Sequence, residues 1–198
     1  MQNSKLDLTE LTHLTELFGL FNSGRHLNRS TDAALWYELE QQSEQYRHLF
    51  SNLGFELRID GRGFAWFHDD EGNQNINKQS RQLALLLMVI FDYQADNGRS
   101  LSQFYQWTID NTVLNEVYEK HQGLLDAEEL DQGALVKILE NAVRKGFAIQ
   151  ENNHWRLLPS VYRYLDHFEA ITDQASVSDG VTDEEGESCQ ITASNVSR

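Results

Sequence analysis

Basic residues are scarce in this sequence. Sixteen lysines and arginines stand against 31 aspartates and glutamates, a formal net charge of −15 over 198 residues. Residues 172–198 hold six of the acids against Arg198 alone, so they contribute −5 and the body keeps −10. Phosphate binding depends on Lys and Arg displacing counterions, so a body this acidic is a poor general nucleic-acid binder. It suits a protein that binds other proteins, or one that touches DNA through a local basic patch. Cys189 is the single cysteine, which excludes a disulfide within this sequence and a cysteine-based zinc site. The longest apolar run, Leu83 to Phe91, has nine residues, far short of the roughly 20 a bilayer crossing needs. The opening "MQNSKLDLTE" carries one lysine and no apolar run, so no secretory leader is expected. The chain reads as soluble and cytoplasmic, with no membrane partner.

Catalytic and metal signatures are also missing. There is no Gly-rich phosphate loop, no HExxH and no Cys cluster. Seven histidines are scattered without ligand spacing, and His26 and His154 read as connection and hairpin residues. "DDEGNQN", from Asp69, suggests a calcium loop but lacks the glutamate at its twelfth position. Neither an enzyme nor a cofactor is called for.

What is present is a repeated layout. Leu6 to Asn22 carries an apolar stripe of helical period at Leu11, Leu14, Leu17, Phe18 and Phe21, and Ser23-Gly24 stops it. A second helix, capped by Ser30, Thr31 or Asp32, runs to Leu53 with its stripe at Leu35, Leu39, Tyr46, Leu49, Phe50 and Leu53. Gly54 ends it. "FELRIDGRGFAWF" then alternates, turns on Asp60-Gly61-Arg62-Gly63 and alternates back, a hairpin.

From Lys78 the order begins again. A helix over Lys78–Gln94 has a middle, "LALLLMVIF", that is apolar on every face and so is expected to be buried all round. A helix over Leu101–Asp110, continuing after a break to Lys120, follows it. Asp126 with Glu129 forms a capping-box-like start. The helix over 131–145 has its stripe at Leu135, Ile138, Leu139, Ala142 and Val143. Gly146 stops it, and a second hairpin places Phe147, Ile149, Trp155 and Leu157 inward. A closing helix from Ser160 buries Val161, Tyr162, Leu165 and Phe168. Helices, a glycine stop and a hairpin with Gly-Phe at the joint occur twice, at Gly54-Phe55 and Gly146-Phe147. The pattern predicts an α+β, mainly α protein of tandem winged-helix domains with short two-stranded wings. The expected domains are residues 1–72 and 73–171, followed by a disordered acidic tail over 172–198.

In a winged helix that reads DNA, the last helix before the wing enters the major groove. In the first unit that helix offers Asp32, Glu38, Glu40 and Glu44 against Arg47, and repels phosphate. In the second, Lys137, Arg144 and Lys145 face Asp131 and Glu140, with Arg156 on the wing. These four bases are the candidates for contact with the DNA backbone, without readout of sequence.

The segments "LFNSGRHLN", "LGFELRIDGRGFAWF" and "RKGFAIQENNHWRLLPSVYRYL", in this order, resemble the MukE/MksE subunits of bacterial condensins, and the chain looks closer to MksE. The resemblance spans about residues 10–170. It implies a non-enzymatic homodimer that binds a kleisin (MksF-like) and, through it, an SMC ATPase (MksB-like). Such a complex is nucleoid-associated and acts in chromosome condensation and segregation or in plasmid defence. It also implies that the helix before the second wing contacts DNA held in the complex, which points to Lys137, Arg144, Lys145 and Arg156. The competing reading is a tandem winged-helix transcription regulator.

Overall fold

The structure is a computed structural model and describes residues 8–68 and 74–179. These fall into two compact units, one ending at Val161 and the other beginning at Tyr162. Residues 69–73 of the acid-rich turn lie outside the described residues, as does the tail beyond Asp179, whereas Gln74 and Asn75, expected in that turn, are already helical.

In the first half of the larger unit a 3₁₀ turn, Leu8–Glu10, precedes α1 (Leu14–Asn22). Next come β1 (Leu27–Asn28), α2 (Ala33–Gln41), α3 (Ser43–Asn52), β2 (Glu56–Asp60) and β3 (Phe64–His68). Asp32 caps α2 by accepting from the Leu35 amide at 3.0 Å. The single helix expected up to Leu53 is two helices. Gln42, at φ −110° and ψ 24°, leaves helical geometry between them. The fold of this half rests on Leu17, Phe21, Leu39, Tyr46 and Phe50, all of them almost fully buried. Each contributes about 1.5–3 kcal/mol through burial of apolar surface. Phe50 and Phe55 flank Phe67 at ring distances of 4.9 Å. Leu53, placed on the inner stripe by periodicity, ends the helix exposed instead.

The second half repeats the order. It comprises α4 (Gln74–Asp96), a 3₁₀ segment (Leu101–Gln106), β4 (Ile109–Asp110), α5 (Asn111–Lys120) and α6 (Gln122–Ala127). It closes with α7 (Gln132–Lys145), β5 (Ala148–Glu151), β6 (His154–Leu157) and a 3₁₀ turn over Pro159–Val161. The helix expected over 101–110 fails at Trp107, whose ψ of 138° is extended. Asp110 then caps α5 by accepting from the Val113 amide at 2.9 Å. Asp126 lies inside α6 and does not open a helix. Asp131 does that for α7, accepting from Ala134 at 2.7 Å.

Each hairpin gains a third strand, β1 from a stretch expected as connection and β4 from the end of the helix expected over 101–110. The two antiparallel sheets have orders β1-β3-β2 and β4-β6-β5. Leu27 pairs with Ala65, and Ile109 with Trp155. The register also sorts the faces. Leu57 lies across from Phe67, and Ile59 from Ala65, on the side of the first core. Phe64 is on the opposite face, paired with Asp60, yet is fully buried, so β3 is covered on both sides. In the second hairpin Ile149 lies across from Arg156, away from the face of Trp155 and Leu157, and is only half-buried.

The long helix α4 is not buried all round. Leu83, Leu86, Leu87, Val89 and Ile90 are inside, whereas Met88 is 46% exposed. In the smaller unit α8 spans Tyr162–Asp179. It therefore continues as helix through the first residues of the segment expected to lack structure.

Candidate functional site

The two halves of the larger unit meet at the C-terminal end of α7, against the loop that follows α1. The His26 amide donates to the Lys145 carbonyl at 2.9 Å. The His26 ring nitrogen Nδ1 lies 3.1 Å from the same oxygen. A carbonyl only accepts, so Nδ1 carries the proton. In return the Lys145 ammonium donates to the Ser23 carbonyl at 2.7 Å, where α1 ends. Asn28 spans the joint: its Nδ2 donates to the Gly146 carbonyl at 2.9 Å and its Oδ1 accepts from the Ser160 amide at 3.2 Å. The Ser160 hydroxyl donates to the same Gly146 carbonyl at 2.6 Å. Asn28 and Ser160 are wholly buried, so unmet polar groups there would each cost about 1–3 kcal/mol. The His26 ring completes the joint between Trp66 (6.0 Å, stacked) and Phe147 (4.3 Å).

Gly146 makes this approach possible. Its φ of +79° is left-handed, which suits the C-terminal cap of α7. A Cβ added there would run into the His26 carbonyl oxygen. Two requirements, conformational and steric, fall on the same residue.

The four basic candidates separate into two kinds. Lys137 and Arg144 stand exposed on α7, and among the described residues neither has an ion-pair partner. Lys145 is engaged at the joint, and Arg156 donates to Glu151 across the second hairpin. Thus the two unengaged bases lie on one helix, seven residues apart in sequence.

The acidic residues of the first half also have structural duties. Glu38, expected on the outer face, turns inward and accepts from the Thr12 hydroxyl, the Tyr46 hydroxyl and the His13 amide. Burial alone would raise its pKa. These hydrogen bonds, with the nearby His13 ring, outweigh burial and hold the carboxyl below its ordinary 4.5. Burial, then the bond to Glu38, pushes the Tyr46 phenol up. Glu40 pairs with Arg29, and Glu44 with Arg47 at 3.9 Å.

His26, Asn28 and Ser160 were not singled out by sequence as a contact between halves. Their partners lie 118 to 132 residues away for the Asn28 bonds, which no local pattern reveals. The one available signal was the glycine at 146, read there as a helix stop.

The described residues thus form a mainly helical fold with two small antiparallel sheets, and a buried polar constellation ties the halves of the larger unit together. Residues 12–169 match the family of the condensin complex protein MksE, and the chain belongs to that family. It is a condensin complex subunit by family. No curated protein matches the chain.

Proposed function

We propose that the chain is a non-catalytic accessory subunit of an SMC/condensin complex, built of tandem winged-helix domains. It binds a kleisin (MksF-like) as a homodimer and reaches the SMC ATPase (MksB-like) through that kleisin. Its place is the cytoplasm, on the nucleoid, in chromosome condensation and segregation or in plasmid defence. The observation that carries this reading is that the MksE match, over residues 12–169, spans both halves and the residues of the joint between them. The winged-helix assignment is supported by the shared order of elements. Each half has helix, short strand, helices, then a hairpin, with the short strand antiparallel to the hairpin's second strand. The domain limits proposed are 1–72 and 73–171.

Within such a complex Lys137 and Arg144 are the bases free to meet a DNA backbone, with Lys145 and Arg156 in supporting positions. The decisive experiment is co-expression of the full chain with a kleisin encoded beside it. A stable, stoichiometric complex that survives gel filtration is the expected result. Failure to associate, together with tight sequence-selective binding of duplex DNA by the chain alone, would replace this reading with a transcription regulator.

A further inference from the structure

The outward face of α4 carries Arg81, Leu85, Met88, Asp92 and Ala95. The spacing is four, three, four, three, which is that of a seam between two packed helices. Arg81, Met88, Asp92 and Ala95 are exposed and Leu85 is half-exposed, whereas Leu83, Leu86, Leu87, Val89 and Ile90 fill the core behind them. A helix needs one apolar stripe to hold it to its own domain; outside that stripe this one also carries a short apolar patch at Leu85 and Met88 between Arg81 and Asp92, with Met88 46% exposed.

The order of residues along the seam says what fits it. Turned end for end about a two-fold axis between Leu85 and Met88, the seam meets itself with Arg81 opposite Asp92 and Leu85 opposite Met88. Both polar contacts then join opposite charges and both central contacts are apolar, so the face is complementary to its own copy. A parallel arrangement would instead set Arg81 against Arg81 and Asp92 against Asp92. The Arg81 guanidinium is free to turn, since its side chain is 70% exposed and its partner Glu128 lies at 3.4 Å. Asp92 already receives Lys120 and lies 3.2 Å from the His121 ring, so a second copy would add a further cation to a carboxylate held outward.

One seam alone is narrower than the roughly 1,200–2,000 Å² that specific interfaces bury. Flanking apolar surface is present. Phe91 of α4 packs on Phe104 at 5.5 Å, and the same 3₁₀ segment exposes Leu101 and Tyr105.

We infer that this face of α4 is where a second copy of the chain docks, antiparallel, through Arg81–Asp92 and Leu85–Met88 contacts across a two-fold axis. The inference rests on the homodimer of the proposed function and names its surface.

Charge reversal tests it on the full-length protein, by sedimentation equilibrium over a concentration series. Arg81→Asp sets like charges at both ends of the seam, and so does Asp92→Arg; each is expected to weaken self-association about tenfold or more. Mixed in equal amounts, the two variants restore both pairs in a heterodimer, with affinity back within about threefold of the parent. Loss of a fold contact cannot produce that recovery. Met88→Lys, which leaves both charges in place, is expected to give monomer with an unchanged circular dichroism spectrum. If the variants self-associate like the parent, or the mixture fails to recover, the α4 seam is refuted while the homodimer stands. A parent chain that stays monomeric at every concentration refutes the homodimer itself, and the seam with it.

Discussion

Gly146 sits against the main chain of His26, 120 residues away in sequence, with no room for a side chain between them. The closeness follows from the bond of the His26 amide to the neighbouring Lys145 carbonyl. Gly146→Ala must therefore adopt a left-handed backbone and also push the His26 carbonyl away. The first cost is about 1–2 kcal/mol and the second about 1–3 kcal/mol. Gly54→Ala is the control: its φ is +85°, but nothing lies within 4 Å of the added Cβ. In urea denaturation the Gly146 variant is expected to lose clearly more stability than the Gly54 variant. Equal losses would mean the halves do not depend on this approach.

Asn28 is the polar counterpart of that contact. Asn28→Leu keeps the approximate volume but strips a donor from the Gly146 carbonyl and an acceptor from the Ser160 amide. The Gly146 carbonyl retains the Ser160 hydroxyl, so the buried Ser160 amide bears most of the cost. A loss of about 2–4 kcal/mol is expected in chemical denaturation. Asn28→Ser shortens the side chain and leaves room for water, so a smaller loss is expected.

Much of the fold could be read from local pattern, and what could not be read has a common cause. Periodicity found Leu17, Phe21, Leu39, Tyr46 and Phe50 because a helix buries residues at its own repeat, whatever it packs against. Glycines at 54 and 146 marked the ends of helices because the left-handed turn is a local demand. β1 and β4 escaped notice because a strand of two residues has no period and exists only through its partner β3 or β6. Glu38 was misplaced for a similar reason. Its inward turn depends on Thr12 and His13, 26 and 25 residues earlier, and on Tyr46. At the candidate site the four bases were visible as residue types. Which of them are engaged was not, because the Lys145 partner Ser23 belongs to the other half.

The Glu38 carboxylate gives the first half a dependence on pH. Its folded pKa is lowered, so its contribution to stability is complete above the ordinary 4.5 and is lost as pH falls through the folded value. Glu38→Gln is expected to destabilise the protein at neutral pH, and its gap from the parent should narrow steadily below about pH 4.5. Tyr46→Phe removes one of the donors and is expected to cost about 1.5–3 kcal/mol at neutral pH, as for hydrogen bonds to charged groups. Thermal melts of both variants from neutral to acidic pH provide the check. A gap that stays constant across that range would show that the ionised carboxylate contributes nothing special.

Lys137 and Arg144 should behave differently from Lys145 when each is altered. The first two are exposed and without ion-pair partners among the described residues, so Lys137→Glu with Arg144→Glu is expected to leave the melting temperature nearly unchanged. In the complex with its kleisin, the same pair should weaken duplex binding and flatten the salt dependence of log affinity by up to about two units of slope. Lys145→Met should do the reverse. It loses the bond to the Ser23 carbonyl, costing about 1 kcal/mol of stability, while changing the salt slope by less. Fluorescence anisotropy of labelled duplexes of unrelated sequence, titrated at several salt concentrations, separates the two. A salt slope untouched by the double substitution would remove α7 from any contact with DNA and leave its bases as ordinary surface charges.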